Sequence, residues 1–299
     1  MLSVIKEISE GIWAIDRTYA DRYMIFINSL LKGTFNQNNI EFSAEREKHF
    51  PMMSTLDLID EAGFRRGDNL EYAYTKADFN TTTPFIAFFN LNGPITKYDQ
   101  FSGGYGMSSY AKWLDRAYAN TNLKAVVFKI DSGGGNGFAS DLMSETIKRS
   151  PVPTIAYIED VGASAAYQIA ASCSIVIANK DTALIGSIGT YVTVADYSKS
   201  FEKEGIAITE VYADESTEKN KEYYDAIAGD LAGMKARVNR WNDSFLAEIK
   251  QNRKGKLTDD SWRTGKLFFA EKALEVGLID EIKPFNQVLK ELVSQLNIK

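Results

Sequence analysis

A serine set among very small residues is the first side chain in this sequence that could act as a nucleophile. Ser164 comes shortly after an apolar run at 154–160 and is flanked by glycine and alanine within 162–166. Small neighbours let a substrate backbone come close, and a helix that begins at this serine would favour negative charge developing beside it. Serine is also common as a plain helix N-cap. The local sequence leaves both interpretations open.

A glycine-rich turn lies about 30 residues earlier in the chain. The apolar run 125–131 leads directly into 132–137, which reads Ser-Gly-Gly-Gly-Asn-Gly. The carboxyl ends of strands are where α/β sheets place their sites, and glycines let backbone N–H groups converge on an anion. That anion could be a phosphate or the oxyanion of a tetrahedral intermediate. A tight turn without any ligand is the alternative.

Histidine is a poor candidate for the general base that such a serine needs. His49 is the only histidine, and it lies in a charged segment. A Ser-His-Asp arrangement would therefore depend on this one residue reaching the nucleophile. A lysine amine can serve instead if burial or a neighbouring cation lowers its pKa toward about 7–8.

Composition restricts the possible partners. The 299 residues carry a net charge of −6, and no run of basic residues resembles a nucleic-acid surface. Cys173 is the only cysteine, which excludes an intrachain disulfide or a cysteine zinc cluster. The longest uncharged run, 161–179, contains enough polar residues to favour a buried helix and strand over a membrane span. We expect no nucleic acid, metal, cofactor, targeting peptide or transmembrane segment.

The elements that would position these residues alternate along the chain. Helical segments at 109–121 and 139–150 separate the first three of five apolar runs, so a mainly parallel α/β sheet is predicted. Three- and four-residue spacing predicts a mainly helical N-terminal appendage over 1–80, before a core at 81–285 and a C-terminal helix at 286–299. A long helix is predicted at 230–253. The predicted strands are 85–93, 125–131, 154–160, 175–179 and 208–213.

Four segments in combination resemble one family of serine peptidases. They are 131–135 (Asp-Ser-Gly-Gly-Gly), 163–167 (Ala-Ser-Ala-Ala-Tyr), 185–189 (Ile-Gly-Ser-Ile-Gly) and 265–280, which ends in Gly-Leu-Ile-Asp. Their order is similar to that in signal peptide peptidase A (protease IV) over about residues 85–285. The start of the chain is more similar to the phage capsid-assembly branch. The resemblance implies a crotonase/ClpP-like core of repeated ββα units.

The resemblance also implies residue roles. Ser164 corresponds to the nucleophile, and the backbone N–H groups of Gly134 and Ala165 to the oxyanion hole. The general base is a lysine that follows the serine by a little over fifty residues. Lys219, which lies 55 residues after Ser164, is the first candidate and Lys221 the second. Ser187 corresponds to a hydroxyl that orients the lysine.

Two departures from the family pattern bear on this site. Gly133 stands where the family has proline, so the oxyanion turn loses a fixed φ angle and its surroundings must hold it. Glu215 and Glu218 flank Lys219, and a carboxylate close to the amine would raise its pKa.

The family implies a ring-forming homo-oligomer that cleaves peptides or unfolded proteins, in the cytoplasm or within an assembling phage particle. Apolar or small side chains are expected next to the cleaved bond. Two alternatives stay open. One is an acyl-CoA enzyme that uses the same paired N–H groups with a glutamate as base. The other is a catalytically silent scaffold with the same fold.

Overall fold

The computed structural model of this protein describes residues 13–15, 50–55, 75–76, 79–100, 104–196 and 198–296. Among the described residues, every helix is too short or too polar to cross a bilayer. The strands are β1 Trp13–Ile15, β2 Met52–Thr55, β3 Thr75–Lys76, β4 Phe85–Asn92, β5 Leu123–Ser132, β6 Gly134–Asn136, β7 Thr154–Ala163, β8 Ile175–Ala178, β9 Leu184–Gly186, β10 Leu267–Phe269 and β11 Glu281–Ile282. The α-helices are α1 Met107–Tyr118, α2 Gly137–Lys148, α3 Ala165–Ala171, α4 Ser198–Lys203, α5 Lys221–Ile227, α6 Ala232–Asn252, α7 Ala270–Val276 and α8 Phe285–Gln295.

A mixed sheet forms the centre of the described part. Its strands run in the order β10, β9, β7, β5, β4, β2 and β3, with β8 added to β7 and β11 to β8. The pairs among β4, β5, β7, β8 and β9 are parallel, whereas β2, β3 and β10 add antiparallel edges. Helices α1 and α2 connect the parallel strands β4, β5 and β7. The predicted α/β class and parallel core are confirmed.

Helices cover both faces of this sheet, which explains why its strands are almost continuously apolar. On one face, Phe89 and Phe128 belong to a large buried cluster that also contains Leu114 of α1 and Ile249 of α6. Alternate residues point to the other face, where Val127 packs in a second cluster with α8. The predicted C-terminal helix therefore corresponds to α8, which closes the second core.

Strand β7 changes partner along its length. Its first half, Ile155 to Ile158, pairs with β8, whereas its end, Val161 to Ala163, pairs with β9. The strand thus continues past the end of β8 before the chain turns into α3. Ser164 lies at this turn, at the carboxyl edge of the sheet.

Two predicted elements differ from the structure. The described pieces of 1–80 include three strands rather than helix, and β2 pairs with β4 in the central sheet. The rest of the predicted helical appendage lies outside the described residues. The predicted strand at 208–213 is irregular and exposed. At 208–213 the sequence pattern was misleading because strand formation depends on a distant partner, which local periodicity does not reveal.

Candidate active site

The backbone of Ser164 is strained. It has φ 55° and ψ −120°, in a region that non-glycine residues seldom occupy. Such a conformation costs on the order of 1–3 kcal/mol and persists only where the surroundings impose it. Ser164 takes the N-cap position of α3, yet its side chain makes no capping hydrogen bond. The structure therefore does not support the interpretation of this serine as an ordinary helix cap.

The hydroxyl of Ser164 is buried and unpaired. The residue is 1% exposed, and its Oγ has no hydrogen-bond partner among the described residues. A buried polar group without a partner costs about 1–3 kcal/mol. Neither Lys219 nor Lys221 therefore bonds this oxygen within one chain. The hydroxyl is available to a group from outside the described part of the chain.

Ser187 lies beside Ser164. Strands β7 and β9 pair Ala163 with Gly186, and the Ser164 N–H donates to the Gly186 carbonyl at 2.7 Å. Ser187 also has a positive φ, 49°, and its N–H donates to the carbonyl of Lys266 at 2.8 Å. Two serines far apart in sequence thus follow the ends of neighbouring strands, both in strained conformations.

Hydrogen bonds replace the missing proline of the glycine-rich turn. Ser132 Oγ donates to the Gly93 carbonyl at 2.5 Å, and the N–H of Ile95 donates to the Gly134 carbonyl at 2.9 Å. Gly134 has φ 104°, which suits glycine. At Gly135, an added Cβ would lie 2.1 Å from the carbonyl oxygen of Ile95, so only glycine fits. The turn is held rigid by the chain at 93–95.

The turn and the nucleophile share one edge of the sheet, since Ser132 of β5 pairs with Gly162 of β7. The Gly134 N–H, however, donates to Ser132 Oγ at 3.1 Å. This donor is satisfied within the chain and would have to exchange its partner to bind an oxyanion. Ala165 is the first residue of α3, whose leading N–H groups have no partner within the helix. Sequence reasoning overlooked Ser132, whose place at the end of β5 was the available signal.

The two candidate lysines differ in their surroundings. Lys221 forms an ion pair with Asp225 at 2.8 Å, and this hydrogen bond raises the pKa of Lys221. A raised pKa is the wrong direction for a base. Lys219 is exposed, and no carboxylate of the described residues, Glu215 and Glu218 included, lies within ion-pair distance of its Nζ. The hydrogen bond to Asp225 argues against Lys221 as the base, and the role of Lys219 stays a prediction.

The segment 265–280, which ends in Gly-Leu-Ile-Asp, connects helix α3 to the central sheet through hydrogen bonds. Buried Arg253 donates to both carboxylate oxygens of Asp280, at 2.9 and 3.0 Å. Asp280 also accepts from the N–H of Val176 in β8 at 2.8 Å. The hydroxyl of Tyr167 in α3 donates to the Leu278 carbonyl at 2.6 Å. This motif is structural, because it ties the helix that begins at Ser164 to the sheet.

Comparisons with known proteins identify a peptidase family. A model of peptidase family S49 matches residues 146–299. Protease 4 of Haemophilus influenzae is 25% identical over 217 residues, 71% of this chain and 35% of that protein. Head-tail preconnector protein GP5 of Enterobacteria phage P21 is 24% identical over 199 residues, 66% of this chain and 40% of that protein. The chain thus spans well under half the length of either relative.

Among solved structures, a ClpP1 mutant from Listeria monocytogenes aligns with a TM-score of 0.41 and 14% identity. The alignment covers 68% of this chain and 94% of the other.

Proposed function

Because this chain belongs to peptidase family S49, we propose that it is a serine endopeptidase with Ser164 as nucleophile and Lys219 as general base. The observation that carries the proposal is the state of Ser164. Its backbone is strained, its side chain is buried, and its hydroxyl has no partner. A strained backbone and a buried unpaired hydroxyl at one residue are typical of a functional site.

In the proposed reaction, Ser164 Oγ attacks the carbonyl carbon of a peptide bond while the neutral amine of Lys219 accepts its proton. The amine then protonates the departing nitrogen, and the C–N bond breaks to leave an ester on Ser164. Water, deprotonated by the same amine, hydrolyses that ester and restores the serine. The N–H groups of Gly134 and Ala165 stabilise the oxyanion, each worth about 3–4 kcal/mol. Ser187 orients the lysine.

We propose that Lys219 reaches Ser164 from a second copy of the chain. Lys219 lies in residues 198–231, here named the arm, in which no described residue is buried. Several of its apolar side chains are in water, among them Ile208 at 62% exposed and Val211 at 91%. Several exposed apolar side chains in one segment favour an interaction site. A homo-oligomer in which the arm packs on a neighbour would bury these side chains and bring the amine close to the site of that neighbour.

The proposed substrates are peptides or unfolded proteins, which can bring an extended backbone to the carboxyl edge of the sheet, where Ser132 of β5 pairs with Gly162 of β7. The phage relative is named a head-tail preconnector protein. By that likeness we propose a role in processing proteins of an assembling phage particle, in the host cytoplasm or within the particle itself.

A fluorophosphonate probe tests the proposal directly. We expect the full-length protein at pH 8 to be labelled at Ser164, as located by mass spectrometry, and to cleave a mixed pool of unstructured peptides. Ser164→Ala should abolish both signals. Ser140→Ala serves as the matched control, because this buried serine lies outside the site.

A folded wild-type protein that is neither labelled nor active would contradict the proposal and support the silent scaffold. Turnover of a CoA thioester that Ser164→Ala leaves unchanged would instead support the acyl-CoA enzyme.

A further inference from the structure

A groove of about 420 Å³ begins at Ser187, next to the candidate nucleophile. It runs between the chain that follows β9 and helix α6, and the turn before β10 forms its far wall. Its lining includes the polar residues Ser187, Thr190, Asn239, Asn242, Arg263 and Thr264. Sequence analysis singled out only the first of these, because the others come from three separate segments.

The charge in this groove has one sign. Of the described residues that line it, Arg263 alone is charged. The nearest carboxylate of Arg263 is that of Asp260, with Nη1 to Oδ2 at 3.5 Å, and the Asp260 side chain is 81% exposed. An ion pair so long and so exposed contributes little. The guanidinium therefore keeps most of its capacity to bind another anion.

The walls of the groove are fixed in place. Thr190 Oγ1 donates to the Val238 carbonyl at 3.2 Å, which ties the chain after β9 to α6. The Gly265 N–H donates to the Ile188 carbonyl at 3.1 Å, which ties it to the turn before β10. Asn239 and Asn242 are three residues apart on α6, so their amides lie on the same side of the helix. Hydrogen bonds thus hold together the backbone segments that carry the amide and guanidinium groups.

We infer that this groove is a substrate subsite that binds an acidic side chain near the cleaved bond, with Arg263 pairing the carboxylate and Asn242 adding a hydrogen bond. This inference rests on the proposed peptidase function and names its substrate class. A peptide extended past Ser164 must pass Ser187, where the groove begins. Arginine binds a carboxylate through two parallel N–H groups, which gives it geometric selectivity. The inference departs from the apolar or small side chains expected from the family.

Paired peptides test the inference. Two sets of unstructured peptides are compared. Each member of one set carries glutamate at a single position around the cleaved bond, and its counterpart in the other set carries glutamine there. We expect wild-type protein to cleave the glutamate set with a higher kcat/KM at one position, by roughly tenfold, the size of one charge-assisted hydrogen bond. Arg263→Met should remove this preference, so that the glutamate and glutamine sets are cleaved with similar kcat/KM. Arg263→Glu should reverse the charge preference, so that a peptide with lysine at that position is cleaved faster than one with glutamate.

Controls separate the possible failures. Arg240→Met changes an exposed arginine on α6 that does not line the groove, so it should keep the glutamate preference. Asn242→Ala should weaken the preference without removing it. If wild-type protein cleaves neither set, the peptidase function fails. If it cleaves both sets equally, or if Arg263→Met keeps the preference, the subsite is overturned. If Arg263→Met changes the oligomeric state and leaves the glutamate preference unchanged, the subsite is likewise overturned. The groove is then assigned to contact with a second copy of the chain.

Discussion

The N–H of Ser164 donates a 2.7 Å hydrogen bond to the carbonyl oxygen of Gly186, across the ends of two parallel strands. Gly186 is followed directly by Ser187, so this bond fixes two serines with positive φ beside each other. Strain of this kind remains only when several contacts impose it. The bond is one of the contacts that hold the candidate nucleophile in its strained conformation.

Ser164→Ala should make the protein more stable while it removes activity. The substitution deletes a buried hydroxyl that has no partner, so the free energy of unfolding should rise by about 1 kcal/mol. Urea unfolding followed by circular dichroism measures this. In contrast, Ser140 Oγ donates to Gln168 Oε1 at 2.7 Å, and Ser140→Ala should lower stability by a similar amount. A loss of stability in Ser164→Ala would mean that the hydroxyl is bonded in solution.

Lys219→Met should reduce kcat by at least about 10²-fold, the usual contribution of a general base. Lys221→Met should stay within a few-fold of wild type, because the pKa of Lys221 is raised by its hydrogen bond to Asp225. Peptide cleavage at pH 8 compares the two variants. Equal losses in both, or a loss only in Lys221→Met, would exclude Lys219 as the base.

A mixture of Ser164→Ala and Lys219→Met should recover part of the wild-type activity. Each variant retains what the other lacks, so a site shared between copies is restored when the two assemble together. Dissociation and reassembly before the assay allow subunits to exchange. Activity that stays at the level of the separate variants would place both groups in one copy.

Gly135→Ala should inactivate and destabilise the protein. Its Cβ would lie 2.1 Å from the Ile95 carbonyl oxygen, and overpacking against backbone costs roughly 1–3 kcal/mol. Gly137→Ala is the matched control, since its Cβ would meet only the Trp241 ring at 3.8 Å. Thermal unfolding and probe labelling of Ser164 report on the two effects. An active Gly135→Ala would show that the turn is not tied to 93–95.

Asp280→Asn should destabilise the protein in a pH-dependent way. Burial, the largest influence, acts to raise the pKa of Asp280, but hydrogen bonds from Arg253 and Lys256 outweigh it and leave the pKa below its ordinary value. A lowered folded-state pKa contributes stability above the unfolded-state pKa of about 3.9, and this is lost as pH falls through the folded-state pKa. Removing one partner of a buried pair costs about 3–5 kcal/mol.

Urea unfolding at pH 7 and at successively lower pH measures this effect. The difference between wild type and Asp280→Asn should be large at pH 7 and shrink below about pH 4. Exposed Asp243 on α6 provides the control, because Asp243→Asn should change stability little at either pH. A difference that does not depend on pH would mean that packing, rather than charge, accounts for the loss.

Local sequence was sufficient for the parallel core. The apolar runs at 85–93 and 154–160 correspond to β4 and β7, because a strand buried on both faces is apolar throughout. The segment 230–253 corresponds to α6, because a helix buried along one stripe has apolar residues at three- and four-residue spacing. The run at 208–213 is also apolar, but it pairs with no strand in the part of the chain that the structure describes. Similarly, β1 pairs Ile15 with Gly134, more than a hundred residues away, which no local pattern could indicate.

The sequence by itself determined which residues could do chemistry here, since Ser164, Ser187 and Gly134 lie in short motifs whose residue types are legible without coordinates. Only the tertiary structure decided that Ser164 is uncapped and strained, that Gly134 donates to Ser132, and that a groove with one cation opens beside Ser187. The physical reason is that strain, hydrogen-bond satisfaction and net local charge depend on groups brought together from distant segments. Residue type, in contrast, is a local property.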